Sequence, residues 1–168
     1  DSLLRAMQGC DALANVASLG FGHAPNIVVA AEKAGVARAV FVSTTSVFTK
    51  LNAPSKTVRL AAEKLIEGSR LDYVILRPTM IYGTSGDRNI CRLVRYLHRW
   101  PVIPVLGSGA YLMQPIYVAD LASVIARAAL AEGSFRKAYN VSGKSPLSYN
   151  AVIDTVCAGL GKRVRKLH

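Results

Sequence analysis

Residues 40–83 read VFVSTTSVFTKLNAPSKTVRLAAEKLIEGSRLDYVILRPTMIYG. An apolar run ends in the hydroxyl cluster Ser43, Thr44, Thr45 and Ser46. An amphipathic helical stretch follows and stops at Gly68. A second apolar run, Tyr73–Leu76, ends in Arg77-Pro78-Thr79. Continuous apolar, β-branched runs suit strands buried on both faces, which is the habit of parallel sheets. Strand, helix and strand in that order make a crossover unit with parallel strands. In open α/β sheets ligands bind outside the carboxyl ends of the strands. Both carboxyl ends here carry hydroxyls or special backbone, so the search for a site starts with them.

Upstream, Ser2 caps a short helix through Met7, and Gly9 ends it. Ala12–Ala17 reads as a strand before Ser18 and Gly20. Pro25 opens a helix with Ile27, Val28, Ala31 and Ala34 facing inward, and Gly35 closes it. Ala39–Ser43 is the next strand. Ser55 caps the following helix, which runs to about Glu67 with Val58, Leu65 and Ile66 inside. The order βαβαβ predicts a doubly wound sheet. Downstream, Thr84–Arg88 is a loop and Asn89–Trp100 a helix. An irregular stretch with Pro101, Pro104, Gly107 and Gly109 holds one or two short strands. Asp120 starts an Ala-rich helix ending near Gly133, Ala138–Val141 is a strand, and Ser148 caps a last helix to about Leu160.

Composition bounds the function. Apolar residues make up 51% and charged residues 18%, which excludes disorder. No apolar run is long enough to span a bilayer. The net charge of +11 draws polyanions without saying which. Cys10, Cys91 and Cys157 are read as reduced, buried thiols of a cytoplasmic protein. His23, His98 and His168 show no metal-ligand spacing, so no metal is expected. The opening DSLLRAMQGCD resembles neither a signal peptide nor an initiator-methionine terminus, as expected of a processed chain or a fragment.

A doubly wound dinucleotide fold usually begins with a strand, a Gly-rich turn and a helix. No G-x-G-x-x-G or G-x-x-G-x-x-G follows a strand here. Gly20-Phe-Gly22 lacks the third glycine, and His23-Ala-Pro25 separates it from the helix, so it reads as an ordinary turn.

Four segments in order carry a family resemblance: Ala6-x-x-Gly9-Cys-Asp11-Ala-x-x-Asn-Val-Ala17; Val40-Phe-Val-Ser43-Thr44; Ala62-Glu63 with Leu76-Arg77-Pro78 and Tyr82-Gly83; and Gln114-Pro-Ile-Tyr-Val118-Ala-Asp120-Leu-Ala. Together they resemble the NAD-dependent epimerase/dehydratase family, the extended short-chain dehydrogenase/reductases. Gln114–Val118 resembles the branch that holds the accessory subunit of respiratory complex I. The resemblance implies an α/β fold with a partial, doubly wound, Rossmann-like parallel sheet and a small C-terminal α+β substrate-side part. Residues 1–168 then form one domain, with 1–83 the later part of the sheet and 84–168 a substrate-side lobe packed on it. It places residue 1 after the family's third strand, so the glycine fingerprint falls outside this chain. NAD or NADP is the implied cofactor, with weak or absent binding by this chain alone.

The family's catalytic pair is a Tyr-x-x-x-Lys on the helix after its fifth strand. The tyrosine moves a proton, and the lysine lowers its pKa and holds ribose. Here those positions are Ser55 and Arg59. An arginine still binds ribose hydroxyls, whereas a serine cannot replace a tuned phenol. The resemblance implies Thr44, Ser55 and Arg59 as the catalytic set. Ala17, Ser43, Arg59, Pro78 and Thr79 are its cofactor contacts. Thr45, Met80 and Met113 lie on its substrate side, Met113 where an arginine usually grips a sugar-nucleotide pyrophosphate. Lys56 and Tyr82 are further candidates, against a solvated lysine and a packed ring.

Two readings follow. One is an NAD(P)-dependent oxidoreductase acting on a small molecule, in the family's case a nucleotide sugar. The other is a non-catalytic assembly module. Arg88, Arg92, Arg95 and Arg99 are spaced four, three and four, one helical stripe that would serve the second reading as a docking face. Lys162, Arg163, Arg165 and Lys166 form a second cluster at a terminus expected to be mobile. Nucleic acid is not expected, since aromatics do not interleave with these charges. Ala12–Ala17 as a bare sheet edge predicts a homo-oligomer or a partner chain there.

Overall fold

The elements fall in the order α1 (Ser2–Met7), β1 (Ala12–Asn15), α2 (Ala24–Ala34), β2 (Arg38–Val42), α3 (Pro54–Glu67), β3 (Asp72–Pro78), β4 (Ile81–Tyr82), α4 (Ile90–Arg99), β5 (Val102–Pro104), β6 (Leu112–Met113), β7 (Ile116–Tyr117), α5 (Val118–Leu130), β8 (Lys137–Val141), β9 (Leu147–Ser148), α6 (Tyr149–Gly159) and β10 (Arg165–Leu167). The computed structural model describes residues 2–51, 53–133 and 136–168. Contacts divide the chain into two compact units, 1–79 with 121–141, and 80–120 with 142–168.

The first unit holds a parallel sheet in the order β1-β2-β3-β8. Arg38 stands opposite Ala12 on one side and Asp72 on the other, and Val74 stands opposite Lys137. Side chains alternate across a strand, and the alternation builds two cores. Ala39, Phe41, Tyr73 and Ile75 meet Ile27, Val28 and Ala31 of α2 and Ala62 and Ile66 of α3. Val40, Val74 and Leu76 face the other way, toward Val124, Ile125 and Ala128 of α5. Helices on both faces make the sheet doubly wound, as the apolar runs predict.

Several local readings are corrected. β1 ends at Asn15, whose Nδ2 donates to the Ala17 carbonyl at 3.1 Å and turns the chain out of the sheet. The N-cap of α3 is Ala53, with Pro54 in the first turn, so Ser55 does not cap; the fixed φ of proline sets the start. Val58 and Leu65 are 37% and 38% exposed, and the buried stripe is Ala62, Glu63 and Ile66. A carboxylate tolerates that position because Arg77 of β3 faces it. Arg77 Nη2 donates to Glu63 Oε2 at 2.6 Å, and Nε donates to both oxygens at 3.1 Å. Among the cysteines only Cys157 is buried; Cys10 is exposed and Cys91 half-buried, and all are free thiols.

In the second unit Leu97 of α4 packs with Ile103, Val105, Ile153 and Cys157. Ser148 caps α6 as expected, its hydroxyl accepting from Ala151 N at 3.1 Å. The basic C-terminal cluster is tied down rather than loose. β10 pairs in parallel with β5, Lys166 Nζ reaches Asp154 Oδ1 at 2.7 Å, and Lys162 Nζ donates to the His98 carbonyl. Backbone pairing supplies an anchor that charge patterning could not reveal. Among the described residues no helix is long and apolar enough to cross a membrane.

Candidate functional site

The carboxyl ends of β1, β2 and β3 carry the polar residues of the first unit. After β1, Ser18 caps a 3-10 turn over Leu19–Phe21, its hydroxyl accepting from Gly20 N at 3.2 Å. Gly22 ends that turn with φ 78°, so Gly20-Phe-Gly22 forms the ordinary turn its spacing predicted. Arg59 of α3 lies over it. A Cβ at Gly20 would stand 3.1 Å from the Arg59 guanidinium carbon, and Arg59 Nη2 points at Ser18 Oγ at 3.5 Å. Among the described residues no carboxylate is within ion-pair distance of this guanidinium.

β2 and β3 meet at their ends. Ser43 N donates to the Leu76 carbonyl at 2.7 Å, and Thr45 Oγ1 donates to the Pro78 carbonyl at 3.3 Å. Thr79 N donates to the Val141 carbonyl at 2.9 Å, which brings β8 to the same end. Thr44 caps a second 3-10 turn, its Oγ1 accepting from Ser46 N at 3.2 Å. That leaves the hydroxyl proton of Thr44 available to donate. Ser43 Oγ is buried and has no hydrogen-bond partner among the described residues. An orphaned buried hydroxyl is costly, and such groups are uncommon in plain core.

Ser55 and Arg59 both stand on α3. Lys56 turns back to its own loop, Nζ donating to the Thr49 carbonyl at 2.6 Å. The pair Glu63–Arg77 clamps α3 to β3, and Arg77 also lies 5.3 Å from the centre of the Phe48 ring. Glu63 is one helical turn beyond Arg59, so this clamp sets how α3 presents Arg59.

In the second unit Met80 accepts at its carbonyl from Ile116 N at 2.9 Å. Met113 of β6 stands opposite Leu147 of β9. Tyr82 and Tyr117 pack with ring centres 5.6 Å apart, which makes Tyr82 a packed ring. The arginine stripe is shorter than its spacing implies. Arg92, Arg95 and Arg99 lie on α4, whereas Arg88 precedes the helix, because Asp87 caps its start by accepting from Asn89 N and Cys91 N.

Chemically, the first unit offers a guanidinium with no acid partner among the described residues and two loop hydroxyls at one end of a parallel sheet. That set suits a ligand rich in hydroxyls and negative charge. Sequence reasoning missed Ser18 and Gly20, which seat Arg59. Their available signal was the change from apolar to small and polar residues at the end of the Ala12–Asn15 run.

Residues 1–99 match the model of a family described as NAD(P)H-binding. Over 119 residues the chain is 30% identical to NADH dehydrogenase [ubiquinone] 1 alpha subcomplex subunit 9, mitochondrial, of Arabidopsis thaliana, covering 69% of this chain and 29% of that protein. It is also 30% identical to the rat protein of the same name, Rattus norvegicus, over 119 residues, 70% of this chain and 31% of that one. The aligned segment thus spans less than a third of these relatives. Among solved structures, MoeE5 in complex with UDP-glucuronic acid and NAD superposes with a TM-score of 0.82 at 21% identity, covering 99% of this chain and 68% of that one. UDP-glucuronic acid 4-epimerase from Bacillus cereus, in complex with UDP-glucuronic acid and NAD, gives 0.82 at 17%, covering 99% and 65%. At such identities the likeness establishes the fold.

Proposed function

Because the chain belongs to the NAD(P)H-binding family, we propose that its first unit holds NAD(P)H across the carboxyl ends of β1, β2 and β3. The observation that carries this reading is the unpaired Arg59 guanidinium seated against Gly20 and Ser18. Arg59 would bind ribose hydroxyls, as a forked cation can. Ala17 and Ser43 would line the cofactor, with the backbone at Pro78 and Thr79 completing the rim. Bound there, the nicotinamide would supply a hydride donor or acceptor. Thr44, with its proton free, would donate a hydrogen bond to the substrate oxygen, with Thr45 beside it on the substrate side. The epimerase/dehydratase-like fold and the nucleotide-sugar complexes of its structural neighbours support a nucleotide sugar as substrate class.

Ser55 limits the activity. An alcohol is far too weak an acid to stand in for a phenol near neutral pH. This favours a second reading, a cofactor-holding subunit without turnover, which the names of the curated relatives also support. On that reading the outer edge of β1, the end strand of the sheet β1-β2-β3-β8 among the described residues, takes another chain by edge pairing.

The test is a titration of isotope-labelled protein with NADH and NADPH, followed by amide shifts. Perturbation of Ser18, Gly20, Thr44 and Thr79 in fast exchange, the mark of weak binding, is expected, and its loss in Arg59→Gln. Shifts that survive Arg59→Gln, or that map away from these residues, overturn the assignment. Turnover of a UDP-sugar that falls in Thr44→Ala supports the oxidoreductase reading, and no turnover supports the subunit reading.

A further inference from the structure

We propose that the outer face of α4, with Trp100 and Lys162, docks an acidic segment of a partner polypeptide. The inner side of α4 is committed, with Leu93 and Leu97 packed on Ile103, Val105 and Ile153. The outer side presents Arg92, Arg95 and Arg99, all exposed. No carboxylate among the described residues lies within ion-pair distance of the three. Asp87, the nearest acid in sequence, has its oxygens engaged by the amides of Asn89 and Cys91 at 2.8 to 3.1 Å. Lys162 Nζ donates to the His98 carbonyl, adding positive charge at the end of the helix. Beside it Trp100 is 51% exposed, with the Arg99 guanidinium 5.7 Å from its ring centre.

Like charges at helical spacing repel, and no carboxylate among the described residues compensates them; Arg95 reaches only the Ser85 carbonyl and Arg99 the Trp100 ring. The choice of occupant follows from charge and residue type. A second copy carries the same face and the same net charge of +11, so it is repelled. A bilayer needs an apolar helix face to receive, and that of α4 is already inside its own core. A nucleic acid would stack bases on an aromatic platform, but Arg99 already covers one face of Trp100. What remains is a carboxylate-rich polypeptide. Guanidinium groups grip carboxylates in a bidentate manner that lysine cannot match. Tryptophan, tyrosine and arginine are the residues that dominate protein interfaces, and Tyr96, 39% exposed, adds a second ring to the face. Ten helical residues give a face about 15 Å long, enough for two or three turns of a partner helix with acids three and four apart. The proposal deepens the subunit reading by naming its partner's chemistry, and it does not depend on cofactor binding.

Trp100 is the only tryptophan of the chain, so its fluorescence reports on this face directly. The whole chain is titrated with a synthetic peptide bearing glutamates three and four residues apart. Phosphatidylserine vesicles and a short duplex DNA serve as competing anions. A salt-sensitive Trp100 response to the peptide is expected, with affinity falling about tenfold or more in Arg92→Gln/Arg95→Gln/Arg99→Gln. Arg5→Gln/Lys33→Gln/Lys137→Gln removes the same charge elsewhere and should bind nearly as the parent does. Equal losses in both triple variants would show net charge at work and overturn the proposal. So would a silent Trp100, or tighter binding to the vesicles or the duplex. NADH titration of the same variants separates this result from the cofactor reading: the α4 variant should leave it unchanged.

Discussion

Replacing Arg77 by methionine should cost this protein a large share of its stability. Glu63 has a side-chain exposure of 3% and Arg77 of 17%, and they are joined by a fork of short hydrogen bonds. Removing one partner of a buried ion pair leaves an uncompensated charge and costs about 3–5 kcal/mol. A domain has only about 5–15 kcal/mol in total. At roughly 2–4 °C per kcal/mol for a chain of this size, Arg77→Met should lower Tm by about 6–20 °C. The apolar double variant Glu63→Leu/Arg77→Met should recover most of the loss, because the pair then costs no desolvation. Hydrogen bonding to Glu63 holds the Arg77 guanidinium above the usual arginine range, against the lowering effect of burial, and the charges of Glu63 and Glu67 add to it. A raised pKa contributes stability below the unfolded value and loses it only as pH climbs through the folded one. For an arginine that window lies beyond ordinary buffers, so the Tm gap should stay flat from neutral to moderately alkaline pH. Thermal and urea unfolding of the two single variants and the double variant complete the cycle. Strictly additive losses would show that the two side chains are not coupled, and the account of α3 docking would fail.

Three further perturbations probe other joints. Burial pushes the Tyr149 hydroxyl above its ordinary 10.0, and Tyr111, stacked 5.1 Å away, adds to the shift. The unfolded chain ionises first as pH passes that value, so stability should fall from there up to the folded pKa. Tyr149→Phe should remove that share of the alkaline decline in Tm, and an unchanged decline would refute it. Gly83 has φ 118°, and a Cβ there would stand 2.3 Å from the Tyr117 ring; Gly83→Ala should cost about 2–4 kcal/mol from strain and overpacking, measured by urea unfolding. Gly20→Ala meets only the mobile tip of Arg59. It should change stability by less than about 1 kcal/mol yet weaken the NADH-induced amide shifts, whereas a normal titration would unseat Arg59 from the site.

Where local chemistry decides structure, the sequence was readable. The runs at Val40–Val42 and Tyr73–Leu76 are β-branched and apolar, and glycine and proline punctuate them. Their alternation between two cores follows from the strand period alone. What stayed hidden depends on partners distant in sequence. Glu63 looks like a surface residue until Arg77 arrives across the β3 strand. The C-terminal basic cluster looks loose until β10 finds β5, more than sixty residues earlier. Ser18 and Gly20 look like loop residues until Arg59, about forty residues on, lies over them.

The hidden links bear most on function. A hydroxyl cluster at the end of β2 is legible, but it is also what any capped turn needs, and Thr44 does cap one. Arg59 is different, because its charge has no acid partner among the described residues. Its guanidinium lies over Gly20 and points at Ser18 Oγ, the hydroxyl that caps the 3-10 turn, at 3.5 Å. A guanidinium with one long hydrogen bond and no acid partner among the described residues, at the carboxyl end of a parallel sheet, supports the proposed ligand contact. Ser55, one turn before it on α3, carries no comparable argument. On the proposed reading α3 carries a cationic binding group, Arg59, without a phenol for proton transfer, as a cofactor held for structure would require.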